Sequence, residues 1–376
     1  MNVEYFIAKK LFSAKEENNS YTKPIFRIAI LAVSLSVAIM LISIMILTGF
    51  KNDISSKVIG FGSHITISSF THNKSYETEP ISIKQNIFNL IKKEVEVKSV
   101  NVFATKAGII KTNDEIHGVV LKGVSYDYDW EFFSDNLVAG EVLNLEKSIK
   151  SNDVLISEEV AQILNLDVSD NIFMYFVQDP PRVRKFNIKG IYNTALVDFD
   201  RLYVLGDIRH IQSLNSWGDT LVGGFEIKLK DFNNLDVISK RIYEQIPYDL
   251  DVKSIKERIP QIFDWLHLQD INVRLIIILM LIVGVVNMIT ALLILILERT
   301  RLIGILKALG ANNWSVRKVF LYSASNLILK GLFLGNTIAF GFALLQKKFS
   351  LIRLNPETYY MNTVPISFDF MSIFSE

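Results

Sequence analysis

ERTRLIGILKALGANNWSVRKVF, residues 298–320, separates two long apolar segments of this chain. The apolar segment before it, residues 275–297, runs for 23 residues without a charged side chain. Five basic residues lie between Glu298 and the next apolar segment: Arg299, Arg301, Lys307, Arg317 and Lys318. Short loops rich in Lys and Arg between two membrane spans stay on the cytoplasmic side. The segment is therefore predicted to be a cytoplasmic turn, residues 298–318, between two spans.

A short amphipathic helix is predicted inside this turn, because four apolar residues recur there at helical spacing: Leu302, Ile305, Leu306 and Leu309. Lys307 falls in its last turn and Gly310 follows it, which is typical of a helix C-terminus. Asn312 or Asn313 is then expected to cap the next helix. From the residues alone, such a helix either rests on lipid with its basic side chains towards the headgroups, or docks into a partner protein.

The motif ERTRLIGILKALGA, residues 298–311, resembles the signature of the FtsX-like, MacB-type permease family of ABC transporters. The FtsX-like region would cover about 275–376. In that family the turn is a coupling helix that sits in a groove of an ATPase subunit. The resemblance therefore implies ATPase contacts at Arg299, Arg301, Leu302, Ile305, Leu306, Lys307, Leu309 and Gly310. The family often carries an acidic residue where this chain has Leu302. The whole layout, from about residue 1 to 370, is most similar to the LolC/LolE-type lipoprotein-releasing permeases.

Two further apolar segments are predicted to span the membrane. Residues 28–50 carry no charge over 23 residues, which is enough to cross a hydrocarbon core about 30 Å thick. The basic segment 1–27 before them is expected to be a cytoplasmic interfacial helix. The third span is predicted at 319–345. The family has four spans, and the segment 346–376 resembles its external loop, so the chain is expected to end before a fourth.

Within the spans, small and polar residues predict packing faces. Gly331, Gly335 and Ala339 repeat every four residues in the third span, a spacing that permits close helix approach. Asn287 lies near the middle of the second span, and a polar side chain there usually faces protein. Lys330 is the only charge between Lys318 and Lys347, and a Lys within the membrane needs a partner or a route to the interface. It has either a functional or assembly role or a buried place beside a helix carbonyl. The resemblance implies that acyl chains of a cargo enter between the first and second spans, with these candidate cleft residues: Ser36, Ile39, Ser43 and Val286.

Residues 51–274 follow a span whose N-terminus is cytoplasmic, so they are expected outside the cytoplasm. Alternating strand-like and helix-like segments, including a helix over 83–94, predict an α+β module. Ser157 and Asp207 are expected to cap helices. A stalk helix is predicted over 254–272, entering the second span. The resemblance implies a Porter-like subdomain, 51–126 with 211–260, and an inserted Sabre-like subdomain, 127–210.

One connection in this module, Gln178 to Arg184, is short, and it holds two prolines and two arginines. In LolC the corresponding hairpin is long and hooks a periplasmic carrier. Here Arg182 and Arg184 belong either to a simple turn or to a reduced docking point.

Composition excludes several other kinds of protein. The net charge of +1 gives no electrostatic basis for binding nucleic acid, and the chain has no Cys. It has no P-loop motif, and its five His residues show no metal-binding spacing. No catalytic residue, metal site or bound cofactor is therefore expected. If ATP drives the protein, a separate ATPase chain, LolD-like by resemblance, must supply the site.

The resemblance implies a permease subunit that extracts lipoproteins from the inner membrane of a Gram-negative bacterium. Its expected partners are the ATPase, a second permease copy or homologue, the lipoprotein substrate, a LolA-like periplasmic carrier and membrane lipids. Two alternatives stay open: an FtsX-like regulator of a cell-wall hydrolase, and a MacB-like efflux permease subunit. The large ectodomain disfavours the first alternative. The second usually carries its ATPase ahead of the first span.

Overall fold

The computed structural model describes residues 4–7, 22–71, 75–84, 88, 91, 94–112 and 115–368. The chain folds as two compact units. The helical unit comprises residues 1–52, 265–353 and 363–376, and the sheet unit comprises residues 53–264 and 354–362. The interfacial helix predicted in 1–27 and the helix predicted over 83–94 lie largely outside the described residues, as does the end of the segment 346–376.

The elements are numbered in chain order. The helices are α1 (Thr22–Gly62), α2 (Glu131–Asp135), α3 (Glu158–Leu164), α4 (Val197–Asp200), α5 (Ile208–Leu214), α6 (Leu235–Tyr243), α7 (Ile255–Arg258), α8 (Pro260–Glu298), α9 (Thr300–Ala308), α10 (Asn313–Phe349) and α11 (Pro356–Tyr359). The strands are β1 (Ile65–Ser69), β2 (Ile81–Ser82), β3 (Val97–Lys111), β4 (Ile116–Val124), β5 (Leu137–Gly140), β6 (Asp153–Ser157), β7 (Asn171–Phe176), β8 (Arg182–Tyr192), β9 (Tyr203–Asp207), β10 (Leu221–Val222), β11 (Gly224–Leu229) and β12 (Leu250–Ser254).

Ten strands of the sheet unit form one sheet in the order β12-β1-β11-β3-β4-β9-β6-β8-β5, with β7 joined to both β3 and β8. The central strand is β3, which has 15 residues. One edge of β3 pairs antiparallel with β4 from Phe103 to Lys111. Its other edge pairs first with β11 and then, at Ile109 and Ile110, with β7.

Because β7 returns to β3, six strands close into a ring, β3-β4-β9-β6-β8-β7. The strands of the ring carry fully buried side chains, among them Ile110, Leu121, Leu155, Phe176 and Phe186. Strands from both sides of the predicted subdomain boundary at 126/127 take part in it. The division into Porter-like and Sabre-like parts stays a prediction, and both parts share one sheet.

Three helices of the described residues are long and apolar enough to cross a membrane: Phe26–Gly62 within α1, Pro260–Glu298 and Asn313–Phe349. Together with the sheet unit, they confirm the predicted fold class, an α-helical membrane protein with a large α/β domain. Each helix is longer than its predicted span. The predicted spans mark only the apolar segments, whereas the helices also include the flanking polar turns.

Local capping sets several boundaries. As predicted, Ser157 caps α3 by accepting a hydrogen bond from Val160 N, and Asp207 caps α5. The stalk predicted over 254–272 is divided. Ser254 and Glu257 form a capping box on α7, which ends at Arg258, and α8 then begins at Pro260. Proline suits the first position of a helix because it needs no intrahelical hydrogen bond there.

Candidate functional site

The predicted cytoplasmic helix is α9, and its C-terminus is closed by a Schellman motif. Gly310 has φ +86°, in the left-handed region. Its N–H donates to Lys307 O, and the N–H of Ala311 donates to Leu306 O. The helix after the turn is capped by Asn312, whose side chain accepts from Ser315 N at 2.7 Å. Of the two asparagines predicted, Asn312 is therefore the cap, and Asn313 instead accepts a hydrogen bond from Lys307 Nζ.

The apolar side chains of α9 divide between two faces. Leu306 packs on a buried cluster of Leu295, Val316 and Phe320, and so does Ile303, which sequence reasoning missed. On the other side, Ile305 is 58% exposed and Leu309 is 80% exposed. The outward pair lies one helical turn apart and therefore forms a small apolar surface on the turn.

The other predicted contact residues of the turn differ in exposure. Arg301, Lys307 and Gly310 are exposed, whereas Arg299 and Leu302 are half-buried. Trp314, at the start of α10, is 57% exposed and was not among the predicted contacts. A large exposed aromatic side chain is the kind of anchor that protein interfaces use. Its place in the capped turn NNWS was the signal that could have identified it.

The predicted packing face of α10 lies against α1. A Cβ on Gly331 would lie 2.7 Å from Val33 Cγ1, and one on Gly335 would lie 2.7 Å from Ser34 O. Ala339 is fully buried in a cluster with Ala38 and Met45 of α1. Glycine is needed at the two tight positions because any side chain would push the backbones apart.

The second span, α8, is far less covered. Near one end, Ala291 joins a cluster with Ala29 and Val33 of α1. Near the other, Asp270 pairs with Lys51 of α1 at 3.1 Å. Between these two contacts, from Ile271 to Thr290, no residue of α8 is buried. This twenty-residue segment, 271–290, is referred to below as the open segment of α8.

The four candidate cleft residues differ in access. Val286 lies in the open segment and is 54% exposed. Ile39 and Ser43 of α1 are half-buried. Ser36 is buried and donates to Ala32 O of its own helix, so its hydroxyl is already satisfied. Asn287, predicted to face protein, is half-buried in the open segment.

Two protein families match this chain. Residues 27–244 match the family described as MacB-like periplasmic core domain, which is more than half of the chain. Residues 274–375 match the family described as FtsX-like permease C-terminal. The chain belongs to the MacB-like, FtsX-like permease family.

Curated relatives extend over most of the chain. It is 22% identical over 328 residues to the lipoprotein-releasing system transmembrane protein LolC of Buchnera aphidicola subsp. Schizaphis graminum, covering 85% of this chain and 78% of the relative. It is 22% identical over 350 residues to LolE of Haemophilus influenzae, covering 89% and 81%. These matches confirm the family and the LolC/LolE resemblance predicted from the motif.

Among solved structures, the periplasmic region of MacB from Actinobacillus actinomycetemcomitans aligns with 55% of this chain and 95% of its own length. The TM-score is 0.39 and the sequence identity is 17%.

In this permease, the two arginines of the predicted docking loop lie elsewhere than expected. Arg182 and Arg184 are residues of β8, where they pair with Phe176 and Met174 of β7. The connection between the strands is therefore Val177–Pro181 alone. The predicted connection, Gln178 to Arg184, was wrong in its last three residues, because β8 begins directly after Pro181.

Buried ionisable groups of the sheet unit are structural rather than reactive. Burial lowers the pKa of His64 and of His210 to about 4, so both are neutral at pH 7. His210 bonds Ser151 O through Nε2, and His64 accepts from Leu229 N through Nδ1. Burial also raises the pKa of Asp200 to about 6, although Thr194 donates two hydrogen bonds to its carboxyl. Within the part of the chain that the structure describes, no cluster of His, Asp and Glu could hold a metal ion.

Proposed function

We propose that this permease is the membrane subunit of an ATP-driven complex that extracts lipoproteins from the inner membrane of a Gram-negative bacterium. A separate ATPase would bind α9, a second permease subunit would complete the transmembrane part, and a periplasmic carrier would receive the cargo. The names of the relatives, LolC and LolE of lipoprotein-releasing systems, support this choice among the activities of the family.

The observation that carries the proposal is the open segment of α8. It is bounded by the Ala291 contact at one end and by the Lys51–Asp270 pair at the other. From Leu275 to Val286 this segment is apolar and none of its residues is buried, so lipid tails can lie against it. Each CH₂ group of an acyl chain that it buries contributes about 0.8 kcal/mol. A lipoprotein carries such chains, so the segment suits a cargo that enters sideways from the bilayer.

The outward face of α9 supports the link to ATP. Its exposed apolar residues, Ile305 and Leu309, stand on a helix whose other face is fixed to the spans through Leu306. A partner that grips Ile305 and Leu309 would therefore move α8 and α10 together with the turn.

A photo-crosslinking experiment tests the cargo assignment. A photoreactive amino acid is placed at Val286 or at Ile39 in cells that make labelled lipoproteins. Phe333, which is 76% exposed on α10, serves as the matched control for a lipid-facing position. We expect lipoprotein to be captured from Val286 and Ile39, to be lost when the complex turns over ATP, and to be absent at Phe333.

Other outcomes would replace the proposal. Equal capture at Phe333 would mean that α8 is merely bathed in lipid. No capture at any position, together with recovery of a cell-wall hydrolase on the sheet unit, would favour the FtsX-like regulator. ATP-dependent export of small molecules without lipoprotein capture would favour the MacB-like efflux subunit.

A further inference from the structure

The C-terminus of α1 ends inside the sheet unit in an unusual way. The last carbonyl groups of a helix have no partner within the helix, so they bond to water or to side chains. Here α1 ends at Gly62, and Ser63 turns the chain with φ +61°. The carbonyl groups of the last two residues, Phe61 and Gly62, each accept a hydrogen bond from a cation of the sheet unit.

The first cation is Lys122 of β4. Its Nζ donates to Phe61 O at 2.8 Å and to Glu226 Oε1 of β11 at 2.7 Å. The side chains of Lys122 and Glu226 are 4% and 2% exposed. Since β3 lies between β4 and β11, the pair crosses the central strand and fixes the helix end to the middle of the sheet.

The second cation is Arg258 of α7. Its Nη1 donates to Gly62 O at 2.8 Å and to Thr66 Oγ1 of β1 at 2.6 Å. Arg258 is followed by Ile259 and then by Pro260, the first residue of α8. The end of α1 is thus bonded to a residue that lies two positions before the helix of the second span.

Aromatic rings hold the side of the same helix end. The ring of Phe61 is 2% exposed, and its centroid lies 5.6 Å from Phe133, 5.2 Å from Phe199 and 5.2 Å from Tyr203. One residue earlier in the helix, a Cβ on Gly60 would lie 2.2 Å from the ring of Phe132. The rings come from α2, α4 and β9, so three separate elements of the sheet unit contact one residue of the helix.

The buried pair of Lys122 and Glu226 is the part of this arrangement that stability does not explain, whereas Arg258 is an exposed residue. Replacing a buried ion pair by apolar side chains of similar volume is often neutral or stabilising, because the desolvation of two charges offsets their attraction. A well-packed apolar contact would hold the helix equally well. What the cations add is direction, since each bonds a particular carbonyl oxygen and so fixes the axial position and rotation of α1.

We propose that Phe61, Lys122, Glu226 and Arg258 form a joint that makes the sheet unit follow the first and second spans during each ATP cycle. The assignment rests on the proposed function, since it presumes that ATP moves the spans. α1 is one unbroken helix from Thr22 to Gly62, so a displacement of its membrane part reaches Phe61. These are positioning residues: Phe61 belongs to the helix end, Lys122 and Arg258 bond its carbonyl oxygens, and Glu226 holds Lys122.

A merely structural role and a coupling role give different results in the double variant Lys122→Met with Glu226→Met. Both charges are removed together, so neither is left buried alone. Lys106→Met is the matched control, since Lys106 is 4% exposed on the neighbouring strand β3 and pairs with Glu77 instead of α1. The whole complex is reconstituted in lipid vesicles for every variant.

Two readouts are measured beside ATP hydrolysis. The chain has no Cys, so a Cys placed at Leu297 and another at Tyr248 are the only thiols that this chain offers to spin labels. Leu297 is exposed on α8 outside the open segment, and Tyr248 lies fully exposed in the sheet unit. The first readout is the change in the distance between the labels when a nucleotide analogue binds. The second is the number of lipoproteins transferred to the carrier per ATP hydrolysed.

We expect the double variant to hydrolyse ATP at the wild-type rate while its transfer per ATP falls by about tenfold, within the range of typical coupling energies. Its nucleotide-dependent distance change should be lost, whereas Lys106→Met should retain both. Unchanged transfer and unchanged distances in the double variant would overturn the joint, and so would a wild-type complex whose distances do not respond to nucleotide. A wild-type complex that changes distance without transferring lipoprotein would refute the proposed function and leave the joint standing.

A second variant covers the case in which the double variant does not fold. Gly60→Ala keeps every charge and favours the helix, but its methyl group collides with Phe132. Transfer per ATP should fall by about fivefold and should be restored by adding Phe132→Leu, which makes room for the methyl group. Wild-type transfer in Gly60→Ala, or a loss that Phe132→Leu does not restore, would contradict the joint.

Discussion

α1 and α8 are both long apolar helices, yet the protein covers them to very different extents. In the most apolar part of each helix, 33% of the residues of α1 are buried and only 6% of those of α8. α1 packs the side chains of Val33 and Val37 on two glycines of α10, whereas the open segment of α8 presents mainly Leu, Ile and Val to its surroundings. Apolarity therefore determines that a helix enters the membrane, and small residues determine which helices pack within the chain.

The largest effect is expected from filling the contact between α10 and α1. In Gly335→Leu the new side chain would meet the backbone oxygen of Ser34, which cannot move aside. We expect a loss of about 1–3 kcal/mol or more, and little assembled complex after purification. Gly341→Leu on the same helix is the control, because a Cβ there meets nothing within 4 Å. If both variants assemble equally well, the packing of α1 on α10 is not what distinguishes α1 from α8.

The second prediction concerns the sheet-unit end of α1, where Asp200 follows the ring of Phe199 that contacts Phe61. Burial raises the pKa of Asp200 to about 6, above that of an unfolded Asp. The folded state therefore binds the proton more tightly than the unfolded state does. The stability that Asp200 contributes is greatest below about pH 4 and is lost as the pH rises through about 6. The difference amounts to about 3 kcal/mol at most.

Thermal unfolding of the sheet unit in the full chain, measured from pH 4 to pH 7, checks this. The neutral variant Asp200→Asn should remove that part of the pH dependence and become more stable relative to wild type as the pH rises. Parallel curves for the two proteins would show that Asp200 titrates normally.

A third effect is expected at the exposed face of α9. Leu309→Ala should leave stability within about 0.5 kcal/mol of wild type, since Leu309 is 80% exposed. It should nevertheless weaken binding of the ATPase by about tenfold if Leu309 anchors that interface. Leu306→Ala is the contrasting variant, because Leu306 packs inward and its loss should lower the unfolding temperature. ATPase binding that falls with Leu306→Ala alone would place the docking surface elsewhere.

The last prediction separates the two parts of α8. Ala291→Leu should destabilise the helical unit by about 1–2 kcal/mol, since Ala291 is 7% exposed among Ala29, Val33 and Leu327. Val286→Leu in the open segment should be neutral in the same unfolding measurement. Equal destabilisation by both would mean that the open segment is covered in the folded protein.

The sequence was sufficient to predict the elements that depend on local patterns. Long apolar runs predicted the three spans, and spacing with Gly310 and an asparagine predicted the capped helix of the turn. The small-residue repeat led to Gly331 and Gly335, which lie against α1. Each of these features is written in residues that are close together in the chain.

What the sequence did not predict depends on contacts between distant residues. Nothing near Lys122 indicates burial, because its partner Glu226 lies 104 positions away. The pairing of β7 with β3 that closes the ring of strands is likewise non-local. Along α9, periodicity placed Leu306 with Ile305 on one apolar stripe, and only the positions of Leu295 and Phe320 show that Leu306 faces inward.

The central claim, that this permease extracts lipoproteins, is tested most directly by reconstitution. The full chain, its ATPase and a labelled lipoprotein are placed in vesicles, and the label that moves to a soluble carrier is measured with and without ATP. We predict transfer that requires ATP and that falls in Leu309→Ala, whereas Gly341→Leu transfers as wild type does. ATP hydrolysis at a normal rate with no transfer, in vesicles where lipoprotein and carrier are both active, would contradict the claim.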